Sequence, residues 1–246
     1  MFGDERRYSA AVTELASRQK SGHGVPAYLR WVNRGLGRRM AAAAYVLRMT
    51  PNQVTLFSTI FSFAAIALIA WAPPSITVCI AAVALLLLGY ALDSADGQLA
   101  RLLEVGGPAG EWLDHVVDAL RLPAFHMGVA VGLYLRPEAQ TWTVGLAAGF
   151  ALLSSTWFIG QLLAEKLGPS HVEAPGGNAP AWVSFLKQPY DVSSTFFTIL
   201  FLPWLPAFLV VYGALFVVTF AVACISLWRK HTWLARVSMA RSQREA

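Results

Sequence analysis

The chain has 246 residues, 56% of them hydrophobic and 13% charged, with a mean hydropathy of +0.51 and a net charge of +5. These values exclude an ordinary soluble domain and indicate a polytopic membrane protein. Basic residues cluster at the two ends, nine of nineteen within 1–50 and five within 229–246, which the positive-inside rule and anionic headgroups explain better than nucleic-acid binding does.

The N-terminal segment, residues 1–50, is the predicted cytoplasmic or interfacial part of a single membrane domain that covers 1–246. Residues 1–25 are polar and basic, and we expect them to lie on the membrane surface or to be partly mobile. In residues 26–47, apolar side chains interleave with Arg30, Arg34, Arg38 and Arg39, which is typical of an amphipathic interfacial helix, predicted over 26–48. We expect its basic side to contact lipid headgroups rather than to take part in catalysis.

Four uncharged or nearly uncharged stretches are long enough to span a bilayer; they cover residues 54–72, 76–100, 112–135 and 142–163. Residues 165–190 are polar and contain Gly and Pro, which favours a surface loop or a short interfacial helix. The apolar stretch 192–228 is too long for one span, and Pro203 and Pro206 divide it into two. The predicted fold is therefore an all-α integral membrane protein with six transmembrane helices preceded by the interfacial helix.

An even number of spans places both basic termini on one side of the membrane. The predicted turns on the other side, near Pro73, 136–140 and Pro203, contain only Arg136 among the basic residues. By charge bias, both termini are predicted to be cytoplasmic, in a multi-pass protein of the cell membrane.

Four carboxylates interrupt the apolar sequence where the second predicted span ends and the third begins. Asp93, Asp96, Gly97, Ala100 and Arg101 share one helical face, and Gly110, Asp114 and Asp118 share a face of the next helix. Because only a short loop, 102–109, joins the two helices, they can lie antiparallel with their acidic faces opposed. The spacing therefore predicts one pocket, near the cytoplasmic side.

Ionised carboxylates within a membrane helix are costly unless they are paired or bind metal, and four close together repel one another unless cations lie between them. Oxygen ligands without Cys or a His pair favour Mg²⁺, Mn²⁺ or Ca²⁺ over zinc. Two divalent ions a few ångströms apart suit phosphoryl transfer, because they hold the attacking and leaving oxygens. The small residues Gly97, Ala100 and Gly110 leave room for a substrate against the backbone.

The stretch resembles, position for position, the motif D-x2-D-G-x2-A-R-x8-G-x3-D-x3-D of the CDP-alcohol phosphotransferases, also called CDP-alcohol phosphatidyltransferases, which are membrane enzymes of phospholipid biosynthesis. Residues 51–55, Pro-Asn-Gln-Val-Thr, resemble the family's P-N-x-x-T element more weakly. The resemblance implies a transferase that moves a substituted phosphate group from a CDP-alcohol to a hydroxyl group and releases CMP.

The resemblance also implies residue roles. Asp93, Asp96 and Asp114 would be ligands of two Mg²⁺ or Mn²⁺ ions, and Asp118 would both contact a metal and act as the general base. Gly97 and Ala100 would let cytidine lie close to the helix, Arg101 would meet its phosphates, and Gly110 belongs to the same pocket. Asn52 and Thr55 are candidate nucleotide contacts. His115, one residue after Asp114, is a candidate at the edge of the pocket, with hydrogen-bonded packing as the alternative.

The identity of the two exchanged groups is left open by the motif. Arg121, one turn beyond Asp118, is placed either to hold an anionic acceptor or to serve as a counter-ion of the aspartates. The first role favours CDP-diacylglycerol as donor and a small acceptor such as glycerol 3-phosphate, an inositol phosphate or serine. The alternative is a soluble CDP-alcohol donor with a lipid or polyol-phosphate acceptor, which the Glu111 and His115 variant of the motif favours.

Two further classes of function fit the sequence less well. An ion-coupled transporter would need carboxylates near the bilayer midplane, whereas these are predicted near one face. An inactive scaffold would not need all eight motif residues. Membrane lipids are expected partners, nucleic acid is not, and a homodimer is left open.

Overall fold

The computed structural model describes residues 2–19, 24–168 and 180–245, and these residues form helices with no strand among them. Their nine α-helices are α1 (Phe2–Ser17), α2 (Arg34–Val46), α3 (Pro51–Trp71), α4 (Ile76–Leu103), α5 (Pro108–Tyr134), α6 (Thr141–Leu167), α7 (Ala181–Leu186), α8 (Val192–Thr198) and α9 (Leu205–Glu245). A π-helical turn, Tyr28–Asn33, leads into α2. The predicted all-α membrane fold is confirmed, and the interfacial helix expected in 26–48 is this π-helical turn together with α2.

Five of the described helices, α3, α4, α5, α6 and most of α9, are long and apolar enough to cross a membrane. Their first residues follow from local chemistry. Thr50 caps α3 in a capping box with Gln53, and Pro51 stands at the first helical position, where no N–H is needed. Ser75 caps α4 by accepting the N–H of Val78.

The span predicted from residue 192 is an interrupted helix in the described residues. Helix α8 and the 3-10 turn Ile199–Phe201 together form an apolar segment of only ten residues, about half the length that a bilayer requires. Pro189 and the N-cap residue Asp191 separate them from α7. Arg30 donates to Ser184 at the α2 end, and Arg136 donates to the Leu202 carbonyl at the opposite end, so the chain passes from one end of the bundle to the other between them.

Both ends of the described chain lie at the end of the bundle where α4 stops and α5 starts. Arg18, just after α1, donates to the carbonyl of Arg101 at 3.0 Å. At the other terminus, Arg229 and Lys230 of α9 line a cavity with Lys166, which pairs with Glu111 at the start of α5. The residues that follow α1 and those that follow the apolar part of α9 therefore lie at the motif end, and the membrane side of that end stays a prediction.

Helix α1 packs on its neighbours through one face. Ala11 and Leu15 are buried with Ala41 of α2 and Leu99 of α4 in one hydrophobic cluster, whereas residues 4–10 are exposed. The expected position of this segment on the membrane surface stays a prediction. In the segment 165–190, α6 continues to Leu167 and α7 provides a short helix, whereas residues 169–179 lie outside the described residues.

Two glycines let α5 pack closely on α3. A Cβ atom at Gly128 would lie 2.7 Å from Ile66 Cγ2, and one at Gly132 would lie 2.5 Å from the Ile69 carbonyl oxygen. Small residues one turn apart are what close helix packing in a membrane requires. Helix α3 therefore contacts α5 with one face and α4 with another, and it holds the two motif helices in position.

Candidate active site

Three of the predicted metal ligands lie together. Carboxylate oxygens of Asp93 on α4 and of Asp114 and Asp118 on α5 all lie within 4.8 Å of one another. The reversal between the helices brings them there: Glu104 ends α4 in the left-handed conformation, with φ of 57°, and Pro108 starts α5. The two acidic faces are thus opposed, as the spacing predicted.

Asp96 lies beside this cluster and is held by two hydrogen bonds. Thr55 Oγ1 on α3 donates to Oδ2 at 2.5 Å, and the backbone N–H of Gly97 donates to Oδ1 at 2.5 Å. The carboxylate is buried, so these bonds fix its orientation. Thr55 is therefore adjacent to the acidic group through Asp96, one turn after the exposed Asn52 at the start of α3.

Arg121 is the cation that contacts the cluster. Its Nη2 lies 2.6 Å from Asp93 Oδ1 and also pairs with Asp118. Its Nη1 donates to Ser58 Oγ at 3.0 Å, and that hydroxyl in turn donates to the Gly89 carbonyl. In this geometry Arg121 is a counter-ion of two aspartates, which was one of the two roles predicted for it.

A cavity of about 180 Å³, here called the α2–α4 cavity, opens on one side of the cluster. Its described lining consists of Gln19, Arg34, Asp93, Ser94, Asp96, Gly97, Gln98, Arg101 and Asp114. The predicted residues Gly97 and Arg101 are therefore brought together with three of the aspartates. A Cβ atom at Gly97 would lie 3.6 Å from Arg101 Nη1, so the glycine leaves space beside that guanidinium.

Gln19 and Arg34 were not singled out as site residues from the sequence. Gln19 donates to Gln98 at 2.6 Å, and Gln98 donates to the backbone of Arg34. Burial, followed by the positive charge of nearby Arg101, lowers the pKa of the Arg34 guanidinium. Arg34 and Arg101 thus line one cavity together with three aspartates. The helical spacing of Arg30 and Arg34 was visible in the sequence, but only the fold shows which arginine turns toward α4.

A second cavity, the α5–α8 cavity, has a volume of about 140 Å³ and lies on the other side of Asp93 and Asp118. Its described lining consists of Ser62, Leu86, Tyr90, Asp93, Asp118, Arg121, Leu122, Phe125, His126, Val192 and Phe196. Most of this wall is apolar. His126 also lines this cavity.

Three predicted site residues, Ala100, Gly110 and His115, are not among the described lining residues of either cavity. Ala100 is half-buried on α4, and Gly110 is exposed in the first turn of α5 with open space around its Cα. His115 lies 3.7 Å from Glu111 and near the ring of Phe158. Their roles remain predictions.

The donor set fits a hard divalent cation. Three carboxylates within 4.8 Å offer six oxygens, and Arg121 pairs with two of the three. Carboxylates gathered this closely within a membrane bundle are stabilised by cations bound between them. Carboxylate oxygens favour Mg²⁺ or Mn²⁺ among the common divalent metals.

The comparisons with known proteins agree with this geometry. A family model described as CDP-alcohol phosphatidyltransferase matches residues 48–228, which include α3 to α6 and both acidic helices. The match begins after α2, so Gln19 and Arg34 lie outside it. A search of curated proteins returned no significant match.

Proposed function

Since the chain belongs to the CDP-alcohol phosphatidyltransferase family, a family of transferases, we propose that it transfers the substituted phosphate group of CDP-diacylglycerol to a small acceptor alcohol and releases CMP. The observation that carries this proposal is the convergence of Asp93, Asp114 and Asp118 between two separate cavities. One cavity offers cations for a diphosphate, and the other offers a small enclosed space beside Asp118.

The α2–α4 cavity is proposed to bind the CDP group. The diphosphate carries two negative charges, and Arg34 and Arg101 both line this cavity. One guanidinium group can donate two parallel hydrogen bonds to phosphate oxygens, so it orients the diphosphate as well as binding it. Gly97 lets the ligand approach the backbone of α4 next to Arg101.

Asp93, Asp114 and Asp118 would hold Mg²⁺ or Mn²⁺, and Asp96 stands beside them as a fourth carboxylate, in keeping with two ions per site. When bound, these ions neutralise the diphosphate and polarise the phosphorus distal to the cytidine. The protein's part is to keep the carboxylates oriented, and the bonds from Thr55 and the Gly97 N–H to Asp96 do this.

Asp118 is proposed as the general base because it lines the α5–α8 cavity as well as the carboxylate cluster. It would take the proton of the acceptor hydroxyl as the oxygen attacks the distal phosphorus in line. A new oxygen–phosphorus bond forms, the bond from that phosphorus to the bridging oxygen breaks, and CMP leaves with the bridging oxygen. The proton then passes from Asp118 to solvent.

The size of the α5–α8 cavity supports a lipid donor rather than a lipid acceptor. A space of about 140 Å³ beside Asp118 holds a small alcohol, whereas a diacylglycerol is several times larger. The two acyl chains would therefore enter on the donor. The enzyme would then act in phospholipid biosynthesis in the cytoplasmic membrane. Its site would face the cytoplasm, because the basic segments lie at the same end of the bundle as the site and basic segments favour the cytoplasmic side.

The test is an assay of CMP release by the purified protein in mixed micelles with Mg²⁺. CDP-diacylglycerol is compared with CDP-choline and CDP-ethanolamine, the latter two with diacylglycerol as acceptor. We expect CMP from CDP-diacylglycerol only in the presence of an acceptor alcohol. Absence of CMP from every donor would refute the transfer reaction, and CMP from the soluble donors alone would refute the lipid-donor assignment.

A further inference from the structure

The α5–α8 cavity ends in a polar group that the transfer reaction does not require. His126 is only 4% exposed and lines this cavity. Its Nδ1 lies 2.7 Å from the hydroxyl of Tyr212, and its ring stacks on Phe150 at a centroid distance of 4.0 Å. The ring is therefore fixed in position between α5, α6 and α9.

The hydrogen-bond pattern assigns the tautomer of His126. Tyr212 is fully buried, and among the described residues its hydroxyl contacts only the histidine. The phenolic proton is satisfied if Tyr212 donates to Nδ1, which places the ring proton on Nε2. No described residue accepts that proton. His126 Nε2 is not among the fully buried side-chain atoms that lack a partner, so it is accessible from the cavity that the residue lines. A ligand oxygen in that cavity can therefore accept its proton.

The cavity limits the size of such a ligand. Asp118 and His126 lie about two helical turns apart on α5 and line the same cavity. A ligand that reaches both residues therefore needs two separate polar groups. A cavity of about 150 Å³ encloses a six-membered ring, so 140 Å³ suits a similar number of carbon and oxygen atoms.

The charge of the wall restricts the group that meets His126. Arg121 is the one cation among the described lining residues, and it lies at the aspartate end, paired with Asp93 and Asp118. Phe125 and Phe196 line the cavity as well. An anionic or ammonium group at the His126 end would lose its hydration without gaining an opposite charge.

We propose that the α5–α8 cavity is the acceptor pocket and that His126 Nε2 donates a hydrogen bond to a second, uncharged hydroxyl of a small polyol. This inference rests on the proposed function and narrows its acceptor class from alcohols in general to polyols. Any anionic group of the acceptor lies toward Arg121, at the aspartate end of the cavity. Tyr212 is a positioning residue, because it acts through the histidine.

The experiment measures CMP release from CDP-diacylglycerol with two groups of acceptors. Glycerol, glycerol 3-phosphate and myo-inositol represent polyols, and L-serine, ethanolamine and choline represent amino alcohols. We expect a polyol to be the best acceptor. An amino alcohol as best acceptor overturns the inference while leaving the transferase intact, whereas no CMP with any acceptor refutes the proposed function itself.

Three variants then test the histidine. His126→Phe keeps the stacking on Phe150 but removes the hydrogen-bond donor. We expect the KM for the best polyol to rise about tenfold, as the loss of one hydrogen bond predicts. The kcat and the KM for CDP-diacylglycerol should be nearly unchanged. His126→Gln restores an N–H donor and should recover part of the affinity. Tyr212→Phe removes the hydrogen bond that keeps the His126 proton on Nε2, and it should raise the same KM by a few-fold. An unchanged acceptor KM in His126→Phe overturns the proposal.

Discussion

Thr55 on α3 donates a hydrogen bond of 2.5 Å to Asp96 on α4, which joins the start of one helix to the acidic face of another. The other oxygen of Asp96 is held by the backbone N–H of Gly97. The carboxylate is therefore oriented from two directions before any ligand binds. Preorganised carboxylates of this kind bind metal more tightly, because less rotational freedom is lost.

Replacing Thr55 should weaken the site without removing any carboxylate. Thr55→Val keeps the side-chain shape but loses the donor, and we expect the apparent Mg²⁺ affinity or the rate to fall by roughly 10- to 100-fold. The measurement is CMP release across a Mg²⁺ titration. Thr59→Val is the matched control, because the Thr59 hydroxyl bonds only within α3, to the Thr55 carbonyl. Equal effects of the two substitutions would contradict the role of Thr55.

Substitutions of Asp118 and Asp93 should differ in their effects on donor binding and on the rate of the chemical step. Asp118→Asn keeps an oxygen ligand but removes the base, so single-turnover CMP release should fall by roughly 10² to 10⁴ while donor affinity survives. Asp93→Asn should lose donor binding and rate together, and EDTA should abolish activity of the unaltered protein. Donor affinity and single-turnover rates at saturating Mg²⁺ distinguish the two. Near-normal turnover in Asp118→Asn would leave that residue as a metal ligand alone.

Arg34 tests the contribution of α2, which precedes the segment matched by the family model. Arg34→Gln removes a cation from the α2–α4 cavity, and we expect the KM for the CDP donor to rise by about 10- to 100-fold, the usual effect of losing a charged hydrogen bond. The acceptor KM should not change. Arg39→Gln, on the exposed side of the same helix, is the control, and a similar rise there would point to general membrane electrostatics.

Gly132 tests the packing that holds the motif helices. Gly132→Ala places a methyl group against the Ile69 carbonyl, and overpacking of this kind costs about 1–3 kcal/mol. We expect a lower midpoint of thermal unfolding in detergent. Gly145→Ala is the control, because a Cβ there has no neighbour within 4 Å among the described atoms and alanine favours the helix by up to about 1 kcal/mol. Identical midpoints for the two variants would contradict the close α3–α5 contact.

Membrane orientation is tested by labelling single cysteines. Glu104→Cys reports the motif end of the bundle, and Glu138→Cys reports the α5–α6 turn at the other end. With Cys79 and Cys224 replaced, an impermeant maleimide should label residue 138 from outside the cell and residue 104 only in inverted vesicles. Labelling of both positions from one side would rule out the proposed topology.

The acidic pocket could be predicted from the sequence because it depends on the helical spacing of residues that are close together in the chain. Asp114 and Asp118 are one turn apart, so any helix places them on one face, and a short loop brings that face against Asp93. The same holds for the long spans, which a run of apolar residues defines without knowledge of their neighbours.

The interruption of the helix near residue 190 and the α5–α8 cavity could not be predicted from the sequence, because both depend on contacts between residues that are far apart in the chain. Asp191 ends up against α4 because Pro189 interrupts the helix before it, and hydropathy does not register such a break. His126 pairs with Tyr212, which is far away in the sequence; a single histidine in an apolar helix carries no sign of that partner. The contact of α1 with α2 and α4 likewise joins residues far apart in the sequence.

Asp93 lines both cavities, one on each side of it. The space proposed for the nucleotide and the space proposed for the alcohol therefore meet at a single carboxylate but do not overlap. Two ligands held in separate spaces can occupy the protein at the same time, and neither has to leave before the other binds. The steady-state rate should accordingly depend on both concentrations as in a ternary-complex mechanism, with intersecting rather than parallel reciprocal plots.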